Sequence, residues 1–327
     1  VPDPHSGEIG PGHLLYEPDE VLCVCSANLQ SEYHRGVDYE VEGNLLHRIP
    51  GGSMPCFTMD EYFLREPASI AIESAGCPGR YVRFERGGTE FLRRQIAVTY
   101  RHGGRWEGAV PEAQGQRLPG TMERLRSGSS LHLLVYGDSV MEGCDASGKT
   151  GVAPYLPPLD MLVTVGLSRR WKHGGIRLTN NALGGTDSGW GRENTSRLAA
   201  DPRPDLVMMG FGMNDGSRHL ADADYEANIR AVIAAVREEN GAAEFLLLPP
   251  GLPNPDCKGW TGKQKDYEPV LTRIARDTPG CAALPITRMH EYVTERKRYA
   301  DICGNCVNHP NDFMVRLYAA AILETLE

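Results

Sequence analysis

The chain changes its hydrophobic period near residue 119. Before that point apolar residues alternate with polar or small ones. Ile70 and Ile72 do so in SIAIES (69–74), Val82 and Phe84 in YVRFER (81–86), and Ile96, Val98 and Tyr100 in QIAVTY (95–100). Period two marks strands with one buried face. Turn formers separate the segments: GCPG at 76–79 and RGG at 86–88. Several short strands without a long helix predict a β-sandwich, jelly-roll-like, over residues 1–118.

After residue 119 the apolar residues run on. LHLLVYG (131–137) and PDLVMMGFG (204–212) are near-continuous apolar strands of the kind buried on both faces of a parallel sheet, and AEFLLLPPG (243–251) and CAALPI (281–286) repeat the pattern. Helical periods stand between and after them. Residues 223–241 place Ile229, Val232, Ile233 and Val236 on one face and end near a glycine, and 311–327 read as a closing helix. Alternating strand and helix predicts a doubly wound α/β domain over 119–327, with the seam in EAQGQRLPG at 112–120.

Composition narrows the function classes. A formal net charge of −9 over 327 residues does not favour nucleic acid, and the basic run TERKRY (294–299) reads as a solvated face. No stretch approaches the roughly 18 apolar residues that span a bilayer. Nine cysteines is an odd number, which leans towards a reducing, cytoplasmic compartment. The chain starts without Met, so a leader removed before export stays open. The oligomeric state is not legible.

Candidate chemistry gathers at the ends of the apolar strands, where open α/β sheets bind ligands. The first strand runs into Gly137-Asp138-Ser139, either a plain turn or one that presents a nucleophilic serine. TNNALGGTDSGWG (179–191) offers Gly184 and Gly185, either a turn or a place where a backbone N–H approaches a ligand. GFGMNDGS (210–217) offers Asn214 and Asp215, either a helix cap or a neutral donor to an oxyanion. CVNHPND (306–312) puts His309, one of ten histidines, on a loop before the last helix, where it can serve as general base.

The order of these four blocks, GDS, NNALGG, GMND and NHPN, resembles the SGNH, or GDSL-type, hydrolase family over roughly residues 130–327. The resemblance implies a three-layer α/β/α domain with a parallel sheet, and a serine esterase that needs no metal or organic cofactor. Ser139 and His309 would be catalytic. The N–H of Ser139, the N–H of Gly185 and the amide of Asn214 would form the oxyanion hole, and Asp138 would order the turn. Family members usually carry an Asp three residues before the His; here that position is Cys306. A thiol is a poor orienter of an imidazole. The expectation is therefore a Ser-His dyad in which a backbone carbonyl holds the ring. The alternative is a relocated carboxylate, with Asp301, Asp312 and Glu291 nearest in sequence. Cys303, Cys306 and His309, with Cys257, raise a zinc reading that would consume the base as a ligand; the site is expected to hold no metal.

Carbohydrate esterases that join a β-sandwich to an SGNH domain look similar in layout. They imply an acylated saccharide, most simply an O-acetyl ester, as substrate. Tyr155, in the Gly- and Pro-rich stretch 146–159, and Trp190 are candidate walls for a sugar, or else packing residues. A general short-chain esterase, a lysophospholipase and a catalytically silent carbohydrate-binding protein are the alternatives. The region 1–118 is expected to be a separate unit that helps hold polymeric substrate.

Overall fold

A computed structural model describes residues 1–84, 87 and 89–327. The part after residue 119 is built on five parallel strands: β8 (Leu131–Gly137), β9 (Ile176–Asn180), β10 (Leu206–Gly210), β11 (Glu244–Leu247) and β12 (Cys281–Ala283), in spatial order β12-β11-β10-β8-β9. Among the described residues seven strands precede them: β1 (Gly12–His13), β2 (Glu20–Ser26), β3 (Tyr39–Glu42), β4 (Leu45–Arg48), β5 (Phe63–Leu64), β6 (Tyr81–Val82) and β7 (Ile96–Arg101).

The continuous apolar runs split by side-chain parity. Leu131, Leu133, Val135, Leu206, Met208 and Leu246 enter one core with the helices Pro119–Ser127, Leu159–Arg170, Ile286–Thr294 and Asp312–Thr325. Leu134, Tyr136, Val207, Met209, Phe245 and Leu247 enter the other with Asp222–Glu239 and Tyr267–Asp277. A strand buried on both faces needs apolar residues at every position, which is why these strands read as runs. The result is the three-layer α/β/α arrangement. The predicted helix at 223–241 forms as Asp222–Glu239, with Ile229, Val232, Ile233 and Val236 all buried.

β9 is a strand that the apolar pattern did not mark. It lies at the sheet edge, and its sequence, IRLTN, is half-buried or exposed throughout.

The two-layer sandwich expected over 1–118 is not clearly formed. The described residues there make a three-stranded antiparallel sheet, β1-β4-β3, and two antiparallel pairs, β2-β7 and β5-β6. Residues 69–74 make only isolated bridges, from Glu73 to Tyr81 and from Ser74 to Cys257, and Ile70 is exposed while Ile72 is buried. Glu85, Arg86 and Gly88, which close the predicted 81–86 strand and 86–88 turn, lie outside the described residues.

Among the described residues, one of the region's two clusters is its own, built from Val24, Tyr33, Tyr39, Leu46 and Met54; the other is shared across the seam. Phe57, Tyr62, Phe63, Ile72, Val82 and Phe91 pack with Cys257, Cys306 and Val307 from the other side of the seam. No helix among the described residues is long and apolar enough to cross a membrane.

Candidate active site

The first and third sheet strands in chain order, β8 and β10, lie side by side, and β9 flanks β8 on its other side. This is the switch point at which such sheets open a crevice. The two strands end in register, Gly137 opposite Gly210. A Cβ on Gly137 would stand 2.1 Å from the Gly210 carbonyl, so only glycine fits where the chain leaves the sheet. Asp138 N–H then donates to the Gly210 carbonyl at 3.0 Å. The Asp138 carboxylate accepts from Val140 N–H at 3.0 Å and caps the short helix Ser139–Glu142, which begins with the serine. Asp138 thus orders the turn. Burial pushes its carboxyl up to about 7, with the Asp215 charge adding and the Val140 bond opposing.

His309 reaches this turn from 170 residues away. Its Nε2 lies 2.8 Å from Ser139 Oγ. On the other side of the ring, Nδ1 hydrogen-bonds Asp145 Oδ2. Asp145 is 2% exposed and has a left-handed φ of 61°. Gly304 makes room for it, since a Cβ there would stand 2.8 Å from Asp145 Cβ.

The carboxylate beside the imidazole is therefore a relocated one, and none of the three weighed from the sequence. Asp301 Oδ2 accepts from His13 N–H at 3.0 Å, Asp312 Oδ1 accepts from Ser147 N–H at 2.9 Å, and Glu291 pairs with Lys265 at 2.6 Å. A search of the acids near the nucleophile as well as near the histidine would have included Asp145, six residues after the serine, although no periodicity points to it.

The loop carrying His309 is organised by Asn305, which is fully buried. Its Oδ1 accepts from the N–H groups of Val307, Asn308 and His309 at 2.9, 3.0 and 3.1 Å. Both ring nitrogens of His309 are engaged. The thiol of Cys303 donates to the His309 carbonyl at 3.0 Å, and that of Cys306 bonds the Tyr62 hydroxyl. Among the described residues no group of three or more His, Cys, Asp or Glu is placed to hold a metal ion.

The small-residue loop packs against the nucleophile. A Cβ on Gly184 would come within 3.5 Å of Ser139 Cβ. The N–H of Leu183 donates to the Gly137 carbonyl at 3.0 Å, and that of Gly184 to Glu142 Oε2 at 2.7 Å. Gly185 follows with a φ of 81°. Asn214 Nδ2 donates to the Thr186 carbonyl at 2.8 Å, which leaves its second hydrogen for a ligand. Asp215, buried, accepts from the N–H of Ser188 at 2.9 Å and so ties the segment after β10 to the start of the helix Ser188–Thr195.

The two aromatic candidates separate. Tyr155 is 62% exposed on the loop after Asp145, whereas Trp190 is half-buried against the core, with its ring 6.2 Å from Tyr136.

A family model described as GDSL-like lipase/acylhydrolase matches residues 135–317. The chain belongs to this family. Membership makes it a carboxylic ester hydrolase. Comparison with curated proteins finds no match. Among solved structures, the chain is similar to a two-domain esterase active on acetylated mannans, with a TM-score of 0.53 and 21% identity over 67% of this chain and 55% of that one. It is also similar to an acetylxylan esterase from Geobacillus stearothermophilus, with a TM-score of 0.50 and 18% identity over 60% of this chain and 94% of that one. The match thus spans just over half of the two-domain esterase. At these identities the likeness is one of fold.

Proposed function

We propose that the protein is a serine esterase that removes short acyl groups, O-acetyl above all, from a saccharide. The observation that carries this reading is His309 held between Ser139 Oγ and Asp145 Oδ2. Ser139 Oγ attacks the ester carbonyl while His309 Nε2 takes its proton, and Asp145 keeps the ring in the tautomer with hydrogen on Nδ1. The carbonyl oxygen becomes an oxyanion facing the N–H of Ser139, the N–H of Gly185 and the Asn214 amide. Collapse expels the alcohol, which leaves with the proton from His309. Water, deprotonated by the same imidazole, then attacks the acyl-serine and releases the carboxylic acid.

The saccharide part of the reading draws on the acetylated mannan and xylan named for the two similar structures. It also draws on the exposed Tyr155 ring, a face on which a sugar can stack. Residues 1–118 are taken as the accessory region and 119–327 as the hydrolase domain.

The test is acetate release from acetylated mannan, xylan, pectin and simple sugars, beside aryl esters of increasing acyl length. Ser139→Ala and serine-directed phosphonate labelling serve as controls. Acetyl esters should be fastest and the phosphonate should mark Ser139. Preference for octanoyl or longer chains refutes the short-acyl reading, and full activity of folded Ser139→Ala refutes the serine mechanism.

A further inference from the structure

The loop that carries His309 is held from behind by the first third of the chain. Cys306, three residues before His309, takes a left-handed φ of 62°. Its side chain enters the aromatic cluster of Phe57, Tyr62, Phe63 and Phe91. There its sulfur and the Tyr62 hydroxyl are 2.5 Å apart, with both residues buried. Tyr62 is itself fixed. It ends a one-turn helix whose start carries a reciprocal Thr58–Glu61 cap, and its ring meets Phe63 and Phe91 edge-on. At the other end of the loop Gln95 Nε2 donates to the Cys303 carbonyl at 2.9 Å. From the hydrolase side Asn254 Nδ2 donates to the Cys306 carbonyl at 2.7 Å. The position at which members of the family usually carry an orienting aspartate is thus given over to an anchor, while the carboxylate reaches the imidazole from Asp145.

We propose that Tyr62 and Gln95 are positioning residues for the hydrolysis. They clamp the Cys303–His309 loop so that the imidazole stays between Ser139 and Asp145. This rests on the reading of those three residues as the catalytic group. Misplacing a reacting group by an ångström can cost about 10²-fold in rate, so a small relaxation of this loop is enough to be seen in turnover.

Tyr62→Phe removes the hydroxyl and leaves the ring in its cluster. On an aryl acetate it should lower kcat roughly tenfold with KM within about twofold, an intermediate case between one lost hydrogen bond and a full misplacement. Cys306→Ala should do the same, and Cys306→Ser, which keeps a hydrogen-bonding group, should restore most of the rate. Tyr62→Phe should cost nothing further in the Cys306→Ala background, because the two share one contact. Gln95→Leu, at a half-buried position, is the second variant should the Tyr62 variant not fold, and should lower kcat in the same way.

The proton shared by His309 Nδ1 and Asp145 gives a readout independent of substrate: its far-downfield NMR resonance should shift or broaden in the variants. Wild-type kcat and an unmoved resonance in both Tyr62→Phe and Gln95→Leu, with only the melting temperature lowered, would overturn the inference. Additive losses in the double variant would overturn it too. Phosphonate labelling of wild-type Ser139 separates this failure from that of the underlying reading. Without labelling both fall, whereas labelling with unchanged variants removes the clamp alone.

Discussion

An imidazole between a hydroxyl and a carboxylate can take the serine proton only when its own hydrogen sits on the carboxylate side. At His309 that side is Asp145. Asp145→Asn keeps the shape but allows an amide hydrogen to face Nδ1, which favours the unproductive tautomer. We expect kcat/KM on an aryl acetate to fall about 10⁴-fold with the fold intact by circular dichroism. The other carboxylates are spoken for by His13, Ser147 and Lys265. Asp301→Asn, Asp312→Asn and Glu291→Gln should each stay within about tenfold, or about 1.4 kcal/mol of transition-state stabilisation. An Asp145→Asn protein within tenfold of wild type would return the site to a dyad. Asn214 is the other residue with a separable role. One hydrogen of its amide is anchored on the Thr186 carbonyl, and in the proposed mechanism the other serves the oxyanion. Asn214→Ala should lower kcat by roughly 10²–10³-fold and change KM much less; a change confined to KM would make Asn214 a substrate-binding residue only.

At the scale of elements, the His309 loop depends on one side chain in place of regular structure. Asn305 Oδ1 accepts three consecutive N–H groups that no helix or strand satisfies. Asn305→Ala leaves them buried without an acceptor, so urea unfolding should show a loss of roughly 2–4 kcal/mol, together with a fall in kcat. Unchanged stability would mean that the loop finds other partners. The same contrast explains what was legible in the sequence. β8, β10, β11 and β12 announce themselves because burial on both faces forces unbroken apolar runs. β9 is an edge strand with little to bury, and Arg177 and Thr179 break its pattern. Ser139, Gly185, Asn214 and His309 could be named as candidates because each stands in a short block and the blocks keep their order. Asp145 stands in no such block, and its pairing with His309 across 164 residues leaves no local period; only its nearness to the serine in sequence points to it. Alternation at 69–74 misled for the converse reason. Ile72 is buried in the aromatic cluster, while its segment meets β6 only through an isolated bridge and forms no strand of its own.

The whole molecule feels two buried groups with opposite signs. Burial raises Asp138 from 3.8 to about 7, with Asp215 adding and His309 opposing, and lowers His290 from 6.5 to about 3. The Asp138 contribution to stability is present below about pH 4 and lost as pH rises through about 7. The His290 contribution is present above about pH 6.5 and lost as pH falls towards 3. Between about pH 4 and 6.5 the two slopes cancel, so the variant Asp138→Asn, which keeps an acceptor for Val140 N–H, should expose the His290 slope. Its stability relative to wild type should climb from pH 4 to 7 by a few kcal/mol and then level off; a difference independent of pH would mean that Asp138 is ionised throughout. The largest coupling is between the two parts of the chain. One cluster of the N-terminal region takes in Cys257, Cys306 and Val307 from across the seam, the Trp106 ring lies 4.3 Å from that of Tyr292, and Gln95 binds the Cys303 carbonyl. The packing of Cys306 and Val307 and the Gln95 bond bear directly on the loop that carries His309. If residues 1–118 served only to collect substrate, a 119–327 fragment would keep its activity on a small aryl acetate and lose it on acetylated saccharide. The shared core argues for the other outcome. Truncation strips cover from Cys257, Cys306 and Val307, and the fragment should lose activity on both substrates alike. Co-expression with residues 1–118 should restore both together. A folded fragment that keeps wild-type turnover of the aryl acetate would confine the N-terminal region to substrate capture.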